Sequence, residues 1–402
     1  MTVVIVNDFA YVNGGAGQVA FDSAKLLASH GHRVFFFAAV GPVSDDISSY
    51  KNIKVVCLNQ QDILHDANRL NAVVQGIYNK KAQIVFKEIL AGLNTENTII
   101  HIHTLQKAIS ASIIPVAKAL GFKVVYHLHD YGVACPNLGF YNYKKKIICH
   151  HIAMSTSCIK CNCDRRSQLH KYWRVLRQYG QQKLGLPSKI DAFIAISEFS
   201  LNILKSYLDN KPVYLLPNIV DVKKIPRVDV EHNKAFLYVG RLSFEKGATL
   251  FAEAAANLHV PTIFVGTGED EKKIKEIYPE ADMRGWLSHS EMETVWGKGR
   301  ILVFPSRWYE CHPLTVCEAM AHGVPVIVPT TCAAVDSIIP GETGVTFESG
   351  SLESLIKCMG EVKNSNLNIM GMNSYSTFWN TRISKEKYYA RLIRIYLSTL
   401  SV

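Results

Sequence analysis

The sequence predicts an α/β protein of two domains, each a parallel sheet with helices on both faces. Three observations predict it. Short apolar runs alternate with helical patterns, twice over, along 402 residues, and alternation of that kind gives parallel sheets. A polar stretch without periodicity, residues 218–233 with Pro226 inside it, separates the two series. The length suits two domains of ordinary size, and 48% hydrophobic with 19% charged residues is globular.

In the first series, Val3 to Asn7 is an apolar strand and Ala16 to Ser29 a helix with apolar spacing. Strands follow at Arg33 to Val40, Thr98 to His101 and Lys123 to His127, with a helix expected over Lys107 to Leu120. Ala192 to Ile196 and Val213 to Leu216 complete the sheet. The segment from Tyr131 to Arg166 is rich in Cys, Asn, Lys and Tyr and reads as an insertion. The second series runs from Ala235 to about Leu355. The end, Trp379 to Leu400, reads as a helix whose stripe is Tyr388, Leu392, Ile395 and Tyr396. The expected domains are therefore 1–217 and 218–378, with a helix from 379 to 402.

The net charge of +10 is uneven. Residues 1–220 carry 24 Lys and Arg against 13 Asp and Glu, whereas residues 221–402 carry 20 against 21. A basic half points to an anionic partner. No nucleic-acid module or aromatic-basic interleaving is present, so nucleic acid is not expected. An anionic membrane surface or a lipid-diphosphate fits instead. No apolar run is long enough to span a bilayer, and MTVVIVNDF lacks a basic leader. A cytoplasmic protein, peripheral on the inner face of the membrane, is expected.

Ten cysteines in such a chain argue against a disulfide framework. Five cluster in the insertion. Cys158-x2-Cys161 has the spacing of a zinc hairpin, and Cys135 with Cys149 or Cys163 would complete four thiolates around a structural zinc.

Two segments carry chemistry. Residues 306–328 read SRWYECHPLTVCEAMAHGVPVIV. Glu310 falls in a loop after an apolar strand, and Glu318 falls in a helix opened by Pro313 and closed by Gly323. One carboxylate at the mouth and one on the helix suit the hydroxyls of a sugar attached to a diphosphate. Residues 239–247 read VGRLSFEKG. Arg241 and Lys246 put a guanidinium and an ammonium in one short loop, which suits a diphosphate leaving group.

With these two, NGGAGQVA (Asn13 to Ala20), LHD (Leu128 to Asp130), LPNIVD (Leu216 to Asp221), VGTGED (Val265 to Asp270) and RGW (Arg284 to Trp286) stand in one order. The chain resembles the retaining glycosyltransferases of family 4 over nearly its whole length. The resemblance implies a GT-B fold, two Rossmann-like doubly wound domains facing across a cleft, with the last helix crossing back to the first. It implies that Arg241 and Lys246 grip the donor diphosphate, Glu318 holds the ribose, Glu310 contacts the donor sugar and His129 sits beside it. Gly15, Gly17, Asn218 and Gly268 are implied as donor-binding, with Trp286 near the base. Cys311-His312-Pro313 stand where many members carry a Gly-Phe-Gly turn. Pro313 has no N–H, so Leu314 and Thr315 become the expected backbone contacts.

The function so implied is transfer of a hexose-type sugar from a UDP- or GDP-sugar to a glycan or polyprenyl-diphosphate-linked oligosaccharide, in O-antigen, capsule or exopolysaccharide synthesis. No Asp-x-Asp pair stands at a strand end, so no catalytic cofactor is expected. Gly15-x-Gly17-x-x-Ala20 also matches a dinucleotide fingerprint. The strand RVFFFAAVG, however, ends without the acidic residue a dehydrogenase needs there. A non-catalytic scaffold would be expected to lose the charged residues present here.

Overall fold

The structure is a computed structural model, and it describes residues 1–401. The chain divides into two compact units. The first comprises Met1–Lys145, Cys149–Ile219 and the chain from Ser384 on. The second comprises Lys146–Ile148 and Val220–Ile383.

The strands of the first unit's sheet are β1 (Thr2–Phe9), β2 (Arg33–Val40), β3 (Ile53–Cys57), β4 (Thr98–Ile102), β5 (Lys123–Leu128), β8 (Ala192–Ala195) and β9 (Val213–Leu215). Two short strands, β6 (Tyr141–Asn142) and β7 (Ile147–Ile148), fall in the cysteine-rich segment. The sheet order is β3-β2-β1-β4-β5-β8-β9, with parallel pairing throughout. β1, β2 and β4 are buried almost end to end, the continuous apolar run of a sheet covered on both faces. The second unit holds β10 (Ala235–Val239), β11 (Thr262–Val265), β12 (Asp282–Met283), β13 (Gly299–Val303), β14 (Val326–Pro329) and β15 (Gly344–Phe347), in the parallel order β12-β11-β10-β13-β14-β15. Its core joins these strands to the helices Ala248–Leu258, Leu314–Ala321 and Leu352–Lys363.

Each sheet reverses its winding once, between β1 and β4 and between β10 and β13. In open α/β sheets, ligands bind beyond the carboxyl ends of the strands at such a switch point.

Several elements differ from the sequence reading. The helix expected from Lys107 begins only at Ile113. The backbone N–H groups of Lys107, Ala108 and Ile109 instead bind the buried carboxylate of Asp8, each at 2.9 Å. The last helix begins at Lys385, because the Ser384 side chain caps it, and a separate helix covers Asn368–Thr381. The final helix packs on the first unit's sheet, where Tyr396 Oη lies 2.7 Å from His101 Nδ1. Strand β3 and the helices Arg69–Ile77, Lys80–Ala91 and Gln168–Lys183 have no counterpart in the sequence reading.

Candidate active site

In the second unit, the carboxyl ends of β10, β11 and β13 carry three loops that touch. A Cβ on Gly268 would lie 2.1 Å from the Leu242 carbonyl oxygen, and one on Gly247 would lie 1.9 Å from that of Pro305. Only glycine permits either approach. Gly247 also adopts φ 74° as it leads into the helix Ala248–Leu258. These contacts hold Arg241 and Lys246, after β10, beside the loop after β13 that carries Glu310.

Lys246 Nζ lies 2.6 Å from Glu310 Oε1. Trp308 Nε1 donates to the same oxygen at 2.7 Å, and Ser306 Oγ at 2.9 Å. Burial pushes the Glu310 carboxyl up, but the Lys246 ammonium and the two other donors outweigh it and hold it below the usual carboxylate range. Arg241 is half-exposed and reaches the buried Glu245 at 3.2 Å. The site thus presents a half-exposed guanidinium paired with Glu245 and an ammonium already neutralised by Glu310.

The helix Leu314–Ala321 follows directly, with Pro313 at its N-cap and Gly323 at φ 76° beyond it. Leu314 and Thr315 form its first turn, and Glu318 stands half-buried one turn on. His312 Nδ1 is buried and has no hydrogen-bond partner, and burial lowers its pKa to about 4. Trp286 is largely exposed after β12; the adjacent Gly285 carbonyl accepts from Gly266 N–H at 2.7 Å.

In the first unit, the helix Gly15–Ser29 starts at the carboxyl end of β1. Gly14, at φ 90°, makes the left-handed step into it, a requirement that the motif reading, centred on Gly15 and Gly17, did not identify. A cavity of about 100 Å³ lies at the switch point, lined by Asp8, Asn13, Gly17, His103, Thr104 and Asp130 among others. Asn218 is buried, and its Oδ1 has no partner.

His129 does not stand alone. Alternation along two neighbouring parallel strands stacks four imidazoles, His101 and His103 with His127 and His129. His103 Nδ1 lies 2.9 Å from His129 Nε2, and His127 Nδ1 lies 3.2 Å from His101 Nε2. Burial lowers His101 and His129 to about 3 and takes His103 and His127 well below the usual histidine range. All four are neutral at physiological pH. Nε2 of His103 and of His127 is buried without a partner.

Lys171 lies among Cys135, Cys149, Cys158 and Cys163. Its Nζ lies 3.5 Å from Cys158 Sγ, Asn137 Nδ2 lies 3.4 Å from Cys163 Sγ, and Asn142 Nδ2 lies 3.4 Å from Cys161 Sγ. Cys135, Cys149 and Cys163 are pushed up by burial, Cys163 to about 12. Among the described residues no three of these sulphurs come within 4.8 Å of one another; the set that does so is His101, His103 and His127.

The profile described as Glycosyltransferase Family 4 matches residues 13–224, more than half the chain, and that of Glycosyl transferases group 1 matches residues 233–364. The chain belongs to glycosyltransferase family 4. This glycosyltransferase is 22% identical over 342 residues, 81% of its own length and 84% of the relative's, to an uncharacterized 42.6 kDa protein in the cps region of Klebsiella pneumoniae. It is 33% identical over 116 residues to a GDP-mannose-dependent alpha-mannosyltransferase of Mycolicibacterium smegmatis, a stretch covering 31% of that enzyme. Among solved structures it is similar to the sucrose-phosphate synthase of Thermosynechococcus elongatus, with a TM-score of 0.73 at 16% identity over 100% of this chain and 99% of that one. Anabaena HepE in complex with UDP gives 0.67 at 16% identity, covering 99% and 100%. The two parallel-sheet units are those of a GT-B glycosyltransferase.

Proposed function

We propose that this glycosyltransferase moves a hexose-type sugar from a nucleoside-diphosphate sugar, with retention of anomeric configuration, to a glycan or lipid-linked oligosaccharide in surface-polysaccharide synthesis. The observation that carries the reading is the group at the β10/β13 switch point, where the Arg241–Glu245 and Lys246–Glu310 pairs stand on adjoining loops. Fixed positive charge there stabilises the leaving diphosphate as the glycosidic bond breaks. Glu310, ionised and held by three donors, offers its remaining acceptor capacity to a sugar hydroxyl. The helix N-terminus at Leu314 and Thr315 adds backbone donors. Glu318 takes the ribose. His129, neutral and fixed by His103, serves as a hydrogen-bonding neighbour of the sugar and not as a charged acid. The Klebsiella relative in a cps region supports the polysaccharide role.

Incubating the purified chain with a panel of UDP- and GDP-sugars, following nucleotide release and then the product anomer by NMR, tests the reading. One donor should be hydrolysed slowly and transferred faster when acceptor is added, with its anomeric configuration kept. An inverted product, or no turnover of any donor with any lipid-linked acceptor, rejects it.

A further inference from the structure

The helix Gln168–Lys183 is turned inside out. Its buried side chains are Lys171, Arg177, Gln178 and Gln181. Arg177 donates to the carbonyl oxygens of Gln106 and Pro136, and Gln178 to that of Val133. Four of its apolar residues face water instead. Leu169, Tyr172, Leu176 and Tyr179 recur every three or four residues, so they share one face, and Leu169 is 78% exposed. An ordinary surface helix buries such a stripe.

The helix Arg69–Ile77 is packed against it. Trp173 Nε1 donates to the Val73 carbonyl oxygen at 3.3 Å, and Gly76 leaves the space that the Trp173 ring occupies. This second helix also shows apolar residues to solvent, with Leu70 81% and Val74 63% exposed. Between the two lies a mostly apolar pocket of about 340 Å³, walled by Leu64, Val73, Leu169 and Trp173 and ringed by Arg69, Arg166 and Arg174.

Charge selects the occupant. Residues 131–190 contain eleven Lys and Arg and one acid, Asp164; Lys171 and Arg177 are buried, and the other nine reach solvent. That acid is buried and already paired with Arg174 at 2.7 Å. A second copy of the chain would bring two such basic surfaces together. An anionic bilayer meets both features at once, because leucines enter the acyl boundary, tyrosines sit at the headgroup level and the cations face lipid phosphates.

We infer that the paired helices Arg69–Ile77 and Gln168–Lys183 are a membrane-docking face that lays the first unit on an anionic leaflet. The inference goes beyond the transfer reaction and does not depend on the donor or the acceptor.

Flotation of the full chain with phosphatidylcholine vesicles, with and without phosphatidylglycerol, tests it. The wild type should float with the anionic vesicles and stay down with the neutral ones. Raising salt should weaken binding by screening the cations. The double variant Leu169→Glu/Leu176→Glu should lose at least about tenfold in vesicle partitioning with an unchanged melting temperature, since both residues are exposed. Ile369→Glu, an equally exposed apolar residue of the second unit, should bind as the wild type does. Wild type that fails to float with anionic vesicles, or a double variant that floats as well as the wild type, overturns the inference. Loss of NDP-sugar turnover with flotation intact would fault the proposed reaction and leave the docking face standing.

Discussion

Lys246 Nζ lies 2.6 Å from Glu310 Oε1, so the ammonium assigned to the diphosphate is already held by the carboxylate assigned to the sugar. A diphosphate entering the site must share Lys246 with Glu310. Pairing lowers the ammonium's attraction for the nucleotide until the sugar draws Glu310 into its own hydrogen bonds. Glu310→Gln should therefore bind free nucleoside diphosphate more tightly than the wild type, while transfer falls by at least about a hundredfold. Lys246→Ala should lose both, and it leaves a buried carboxylate unpaired, a change that typically costs several kcal/mol when the pair is fully buried and less here, where some solvent reaches it. Calorimetry with the free nucleotide checks the first point. Unchanged or weaker binding by Glu310→Gln means the pair does not restrain Lys246.

Glu318 separates from Glu310 by position. It stands within the helix Leu314–Ala321, one turn beyond its start, whereas Glu310 lies in the loop before it. Glu318→Ala should raise the Kd for free nucleoside diphosphate about tenfold or more, the scale of losing a hydrogen bond to a charged group, with a smaller effect on kcat once the donor is saturating. A kcat loss at unchanged nucleotide affinity would move Glu318 from ribose to sugar.

His312 replaces part of the usual turn and holds a buried Nδ1 without a partner. Unpartnered buried polar atoms are rare and call for an explanation, and a sugar hydroxyl supplies one. His312→Phe should lower kcat/KM for the true donor while leaving the affinity for free nucleotide near wild type. Equal loss of both would place His312 in folding rather than in sugar recognition.

Much of this was legible in the sequence. Strands such as Arg33–Val40 are apolar runs buried on both faces, and their alternation with helices gave the two sheets. The loop VGRLSFEKG and the segment from Glu310 to Glu318 follow strand ends, where motif spacing alone put them. What escaped depended on distant partners. Lys107–Ile109 read as helix because nothing local shows that Asp8, about a hundred residues earlier, takes their N–H groups. The helix Gln168–Lys183 has a clear period, but its polar residues face inward, against the usual pattern. The salt link between Lys246 and Glu310 spans 64 residues and joins two motifs that were read as separate contacts.

The cysteine segment tests spacing against geometry. Cys158-x2-Cys161 suits zinc, yet Lys171, Asn137 and Asn142 already point N–H groups at three of the sulphurs. Donors of this kind accompany metal-bound thiolates, whose charge they offset. Zinc binding would require sulphurs to converge of which, among the described residues, no three lie within 4.8 Å of one another, and protein purified without a histidine tag should then carry about one zinc per chain, as one tetrahedral thiolate site requires. Cys158→Ser should lower both zinc content and melting temperature. Metal-free protein with unchanged melting would leave Lys171, Asn137 and Asn142 as the partners of reduced thiols.

The stacked histidines should make the fold sensitive to mild acid. Each has a folded pKa depressed by burial, to about 3 for His101 and His129, against about 6.5 in the unfolded chain. The unfolded state therefore binds more protons below about pH 6.5, and stability falls as the pH falls through that range. The contribution is fully present above the unfolded pKa and is lost progressively towards pH 3. Each histidine adds a slope of about 1.4 kcal/mol per pH unit, so four together are steep. Denaturant melts between pH 7.5 and 5 should show it, well above the range where most carboxylates titrate. His127→Gln should flatten the slope by about a quarter, whatever it does to stability at neutral pH. His103→Gln should flatten it equally and in addition lower kcat, because it removes the imidazole that fixes His129 Nε2. Melts that do not change between pH 7.5 and 5 would mean the four imidazoles share protons freely with solvent, and His129 would then be free to act as an acid.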